Sequence, residues 1–262
     1  MNLDGAHVLV TGASRGIGLE TAREFARRGA RVSVLARDSD RLTAVASELG
    51  AHRVAADLRD LEAVAGVLPA AEAGHGPVDV LINNAAMMGM GAIPKLEPAV
   101  LSGTLTANLL APAELMRAAS ASMATRGRGA LVTISSLVGE MAVRGVGAYS
   151  TSKVALAHFT RILHRELRGT GVRTHLVFLG AVDTELIREN EADPVAGPAA
   201  KRLSAIPAEE ADVVGQRIVE MVASERRRPL VIPVAGVPVI ALRNLPTNFA
   251  DLILAGLPRS MP

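Results

Sequence analysis

The chain has 262 residues and a mass of 27.2 kDa; 49% are hydrophobic and 21% charged, the composition of a globular chain within reach of one large α/β domain. Its 28 Lys and Arg against 26 Asp and Glu leave a formal charge of +2, too little for the footprint of a nucleic-acid binder, and the pI of 9.5 reflects only how few groups (one Tyr, three Lys, no Cys) titrate above neutrality. The absence of Cys excludes a disulfide scaffold, a thiol nucleophile and a thiolate zinc site, and no metal site is expected.

Met1 to Gly5 has no basic flank before an apolar run, so no secretory leader is expected and the cytoplasm is the expected compartment. Ala6 to Thr11 is a short β-branched run ending at Gly12. From Gly16 to Arg28 the apolar positions Ile17, Leu19, Ala22, Phe25 and Ala26 keep helical spacing, and Gly29 stops the helix. Arg31 to Ala36 reads as a strand, Ser39 to Leu49 as a helix, His52 to Ala56 as a strand, Asp60 to Ala73 as a helix and Val78 to Ile82 as a strand. A long Ala- and Leu-rich helical segment covers Pro98 to Ala124. Strands at Ala130 to Ser135 and Val172 to Phe178 flank a helix from Tyr149 to Arg168. A last helix, Ala208 to Ala223, precedes the strand Leu230 to Ile232. Buried runs alternating with helices, without hairpin signals, imply βαβ units and a mostly parallel sheet covered on both faces. Residues 1–233 read as one domain, with 185–207 having the composition of a mobile substrate flap and 234–262 forming a C-terminal extension packed on that domain. The apolar stretch Pro229 to Leu242 has 14 residues and three prolines, short of the roughly 20 that a spanning helix needs.

Thr11-Gly12-Ala13-Ser14-Arg15-Gly16-Ile17-Gly18 lies where the first strand gives way to the first helix. Glycines there let a diphosphate approach main-chain N–H groups at the positive end of the helix dipole. At the end of the second strand a carboxylate would hold a ribose 2′-OH, whereas Arg accommodates a 2′-phosphate. Arg37 occupies that place and Arg15 lies within the glycine turn, so NADP(H) is expected over NAD(H). Asp38, in a shifted register, is the alternative ribose ligand, and both arginines could instead be solvated surface.

Tyr149 is the only tyrosine, and Lys153 follows it at i+4 on one helix face; Ser136 ends the strand leading into that helix. A phenol, with a pKa of about 10, is a poor acid or base at neutral pH. A neighbouring ammonium favours the phenolate and is expected to lower that pKa, while Ser136 donates a hydrogen bond to a substrate oxygen.

Over about residues 6 to 232 the sequence resembles the short-chain dehydrogenase/reductases. Gly12-x-x-x-Gly16-x-Gly18 resembles that family's cofactor turn, and Tyr149-x-x-x-Lys153, with Ser136 thirteen residues earlier, its catalytic motif. Asn83-Asn84-Ala85-Ala86 resembles the family's NNAG, with Ala86 in place of Gly. The resemblance implies a single-domain Rossmann fold, a doubly wound sheet of about seven strands with helices on both faces. It also implies that Asn108 supports a relay water beside Lys153, that Lys153 bonds the nicotinamide ribose, and that Asp57 and Leu58 lie at the adenine. Asn84, Ala85, Ala86, Gly180, Val182 and Thr184 would line the cofactor. Leu179 stands where the family usually has Pro, which would loosen that turn.

The loops expected to wall the substrate cleft carry Met87, Met88, Leu137, Met141 and Leu186, side chains suited to a bulky apolar ketone or secondary alcohol of steroid, retinoid, lipid or polyketide type. The expected activity is NADP(H)-dependent hydride transfer with Tyr149 as acid/base. A catalytically idle NADP(H)-binding regulator and an NAD-dependent alcohol dehydrogenase are the alternatives. A homo-oligomer, dimer or tetramer, is expected by analogy. Core packing of the tail is favoured over peripheral contact with a membrane.

Overall fold

The apolar runs form seven strands: β1 (His7–Thr11), β2 (Arg31–Ala36), β3 (His52–Ala55), β4 (Val80–Asn83), β5 (Gly129–Ser136), β6 (Val172–Leu179) and β7 (Leu230–Ile232). All pair in parallel, in the order β3-β2-β1-β4-β5-β6-β7, so the chain reverses its direction of travel between β1 and β4. This computed structural model describes residues 1–140, 143–185, 188–189, 208–224, 228–237 and 240. Sequence and topology agree on a doubly wound α/β sheet, whose crevice lies at the carboxyl ends of the strands beside the switch point.

The connecting helices are α1 (Gly16–Arg27), α2 (Asp40–Leu49), α3 (Leu61–Ala65), α4 (Val67–His75), α5 (Pro98–Leu105), α6 (Ala111–Thr125), α7 (Gly147–Glu166) and α8 (Ala211–Ala223). Strand alternation divides the interior in two. Val8, Val10, Val34, Val80, Ile82 and Val132 face α1, α2 and α8, where Phe25, Leu42 and Ile218 meet them. Leu9, Leu35, Leu81 and Leu131 face the other layer, with Leu115, Met116 and Leu156. In α8, a Cβ at Gly215 would lie 2.9 Å from the carbonyl carbon of Glu20 and the nitrogen of Thr21, so α1 and α8 touch backbone to backbone.

Two expected helices are interrupted, each for a reason tied to proline. The segment from Asp60 to Ala73 is two helices joined at Gly66, because Pro69 has no N–H to give the carbonyl four residues back. The segment from Pro98 to Ala124 is α5, a π-helical turn over Thr106–Leu110, then α6; Pro112 likewise withholds a donor from the carbonyl of Asn108. Leu179 does not loosen its turn. It extends β6, pairs with Ile232 and is buried in the first core. Among the described residues no helix is long and apolar enough to cross a membrane. Of the expected flap, only Glu185, Arg188 and Glu189 fall among the described residues, as do only Val234 to Val237 and Ile240 of the extension.

Candidate active site

The glycine turn is built by close approach. Gly12 and Gly16 hold φ of +67° and +56°, a region that favours glycine, and a Cβ at Gly12 would lie 2.8 Å from the Cα of Ala85. At Gly18 a Cβ would come within 2.3 Å of the carbonyl oxygen of Gly12 and 2.5 Å of Asn84 Nδ2. The loop after β4 is laced to the turn: Asn84 N and Ala85 N each donate to Thr11 Oγ1 at 3.0 Å, and Asn84 Nδ2 donates to the carbonyl of Thr11 at 2.9 Å. The Asn84 side chain thus braces the turn. Ala86 and Ser14 are half-buried beside it, and Ile17 packs on the first core.

These residues fit an anionic nucleotide. The N-cap of α1 is Arg15, with no side-chain capping bond and no acid in the first turn, so the leading N–H groups remain for an anion. Thr184 Cγ2 would stand 3.4 Å from a Cβ at Gly16, which brings the segment after β6 over the turn. Arg37 is exposed at the end of β2, near enough to help Arg59 hold the Asp57 carboxyl below its usual range. Asp38, the shifted-register alternative, pairs with Arg53 of β3. Asp57 itself is held by Arg59, with 2.6 Å between Oδ2 and Nη2. A guanidinium absent from the expected set, Arg41 on α2, joins the group. Arg41 Nη1 donates to Glu185 Oε2 at 2.6 Å, and Arg15 Nη1 to the same oxygen at 3.2 Å.

At the catalytic end, β5 delivers Ser136 and the first turns of α7 deliver Tyr149 and Lys153. Lys153 Nζ lies 5.8 Å from the Tyr149 ring centroid, and Ser136, whose hydroxyl donates to the carbonyl of Leu179 at 3.4 Å, is near enough to act on the phenol. The expected lowering of the phenol pKa is not what the structure gives. Burial pushes Tyr149 up, and the Ser136 bond opposes it only in part. Lys153 is buried, which lowers its ammonium to about 8, and Nζ donates to the carbonyl of Ile134 at 2.9 Å. Desolvation outweighs the charge proximity that the sequence shows.

Asn108 is fully buried in the π turn, and its amide is spent within the protein. Oδ1 accepts from Met87 N at 2.7 Å; Nδ2 donates to the carbonyl of Met87 at 2.8 Å and to Ser152 Oγ at 3.1 Å. Its side chain therefore ties the β4 loop to α7. The Asn83 carboxamide at the end of β4, first residue of the NNAA segment, is buried with neither atom bonded.

Leu58 packs in the second core, Met87 lies half-buried against it, and Leu137 joins Ala157, Leu176 and Phe178 in a smaller cluster. Gly180 donates to the carbonyl of Ile232 at 2.7 Å, and Val182 is buried and bridged to Glu209. Met88 is half-buried; Met141 and Leu186 lie outside the described residues.

The family model described as short chain dehydrogenase matches residues 6–194. The 3-oxoacyl-[acyl-carrier-protein] reductase FabG of Escherichia coli (strain K12) is 32% identical over 199 residues, covering 75% of this chain and 82% of that protein. Among solved structures, an actinorhodin polyketide ketoreductase with NADPH superposes with a TM-score of 0.76 at 30% identity, covering 87% of this chain and 95% of that one. A short chain dehydrogenase from Burkholderia cenocepacia J2315 in complex with NADP gives a TM-score of 0.75 at 30% identity, covering 88% and 98%.

Proposed function

Because the chain belongs to the short-chain dehydrogenase family, we propose that it is an NADP(H)-dependent reductase of apolar ketones, of the lipid or polyketide type, and that Tyr149 is its proton donor. The observation that carries this reading is the meeting of Ser136, Tyr149 and Lys153 at the carboxyl end of β5, on the same edge of the sheet as the glycine turn. Relatives named as reductases, one solved with NADPH, support the cofactor and the direction.

A bound reduced nicotinamide supplies the hydride to the carbonyl carbon. Ser136 holds the substrate oxygen by hydrogen bonding, and Tyr149 Oη gives it a proton as the alcohol forms. Burial keeps the phenol protonated until that moment, which suits an acid. The Lys153 cation, 5.8 Å from the ring centroid, stabilises the phenolate that is left. Arg15, Arg37 and Arg41 would hold the 2′-phosphate. Exposed Leu101, Leu110, Val154 and Ile162 support a homo-oligomeric contact through the α5–α7 layer.

The test is a panel of 3-oxoacyl thioesters and bulky ketones with NADPH and NADH, on the wild type and Tyr149→Phe. The variant should lose at least about a thousandfold in turnover, in line with an acid/base role, and keep NADPH affinity. Near-normal turnover by the variant would remove Tyr149 from the reaction. NADPH binding with no turnover of any ketone or alcohol would favour a cofactor-binding regulator.

A further inference from the structure

We propose that Glu185 and Glu189 occupy the phosphate end of the nucleotide crevice as carboxylate stand-ins, and that a 2′-phosphorylated dinucleotide binds by displacing them from Arg15 and Arg41. This rests on the NADP(H) reading above and goes beyond it, since it makes the segment after β6 a competitor for the cofactor and Arg41 a phosphate ligand.

Three guanidiniums stand at the ends of β1 and β2: Arg15 at the head of α1, Arg37 after β2 and Arg41 in the first turn of α2. Two of them are engaged by one oxygen, Glu185 Oε2, which accepts from Arg41 Nη1 at 2.6 Å and from Arg15 Nη1 at 3.2 Å. Glu189 grips Arg15 through both of its oxygens, with Nη2 to Oε2 at 2.8 Å. A carboxylate and a phosphate offer a guanidinium the same forked pair of acceptors, so each acid holds a place that phosphate oxygens would take. Arg37 enters no ion pair among the described residues. Both carboxyls are held below their usual range by these arginines, so they are anionic at neutral pH.

The pairs are also easy to exchange. The side chains of Arg15, Arg41, Glu185 and Glu189 are 30%, 52%, 47% and 56% exposed, and ion pairs this wet hold weakly. A phosphate dianion puts the charge of both acids on one group with three acceptor oxygens, so it takes the place of the two together. A nucleotide ending in a free 2′-OH brings no charge to that place and leaves the acids where they are. Because Glu185 follows Thr184, which stands over Gly16, the exchange moves the stretch next to the glycine turn. The acids thereby report which dinucleotide has bound.

The experiment is equilibrium binding of NADP+ and NAD+ by titration calorimetry, with hydrogen exchange of the peptide spanning residues 183–189. In the Glu185→Gln/Glu189→Gln chain, NADP+ should bind about two- to tenfold more tightly, as loss of weak surface pairs implies, and NAD+ should change by less than about twofold. Adding Arg41→Ala to that background, where no acid is left to release, should weaken NADP+ by a similar factor. In the wild type, NADP+ but not NAD+ should speed exchange in that peptide. Unchanged or weaker NADP+ binding by the double variant, or equal exchange with both nucleotides, overturns the displacement while leaving the cofactor reading intact. A wild type that binds neither nucleotide overturns both.

Discussion

Replacing Asn108 tests whether its amide fastens the site or merely fills space. Asn108→Ala strands the N–H and C=O of Met87, which it holds at 2.7 and 2.8 Å, and removes one bond from Ser152. Ser152 keeps its bond to the carbonyl of Tyr149 at 2.6 Å, so its loss is the smaller one. Two backbone groups left unpartnered cost about 1–1.5 kcal/mol each, and the vacated volume adds about 1 kcal/mol. A loss of about 3–4 kcal/mol follows, which for a chain of this size is a drop in Tm of roughly 10 °C. The near-isosteric Asn108→Asp sharpens the test. It can still accept from Met87 N, but it turns a second acceptor toward the Met87 carbonyl and buries a charge. Burial raises the folded-state pKa of such an acid above its unfolded value, so its stabilising protonated form persists below that pKa and is lost as pH rises through it. Thermal melts followed by circular dichroism at pH 5.5 and 8, each referred to the wild type at the same pH, should show Asn108→Asp worse at pH 8. An Asn108→Ala chain within about 0.5 kcal/mol of the wild type, smaller than one lost hydrogen bond, would refute the fastening role.

Two further substitutions separate a glycine that the turn needs from one that the fold does not. Gly18→Ala drives a methyl to 2.3 Å from the Gly12 carbonyl, so it should open the turn and weaken NADPH binding at least about tenfold, whereas Gly66→Ala, whose Cβ would meet only Ala63 O at 3.5 Å, should be neutral or raise Tm slightly; calorimetry and melts check both. Acid should destabilise the far end of the sheet. There the His7 and His75 rings lie 5.3 Å apart, His75 and His52 5.9 Å apart, and Asp79 and Arg31 are close enough to act on His7. Burial holds His7 and His75 below 6.5, so the unfolded chain takes up protons first: stability is full above about pH 6.5 and falls as pH drops below it. Tm that stays flat from pH 7 to about pH 5.5 would contradict this, and His75→Gln should reduce the slope.

The order of strands and helices was legible because each element carries its own period, and the glycine turn and the Ser136, Tyr149 and Lys153 spacing are local patterns. What escaped was of two kinds. The breaks at Gly66 and at the π turn depend on which carbonyl a proline fails to serve; Pro69 and Pro112 were there to be read, but apolar periodicity runs straight through them. The partners of Arg15 and Arg41 were invisible because 144 residues separate Arg41 from Glu185. The upward shift at Tyr149 is hidden for a related reason. A sequence displays the neighbouring charge of Lys153, but not the desolvation that overrides it.

The contact at Gly215 has a consequence for how the molecule is made. The apolar flank of α1, with Ala22 and Phe25, emerges early in synthesis, yet the surface that covers it includes Val214 and Ile218 of α8, among the last described elements to be translated. Until then the helix proposed to take the dinucleotide's phosphates at its head is only half supported, so the nascent chain should be a poor receptor for the dinucleotide even though every residue of the glycine turn already exists.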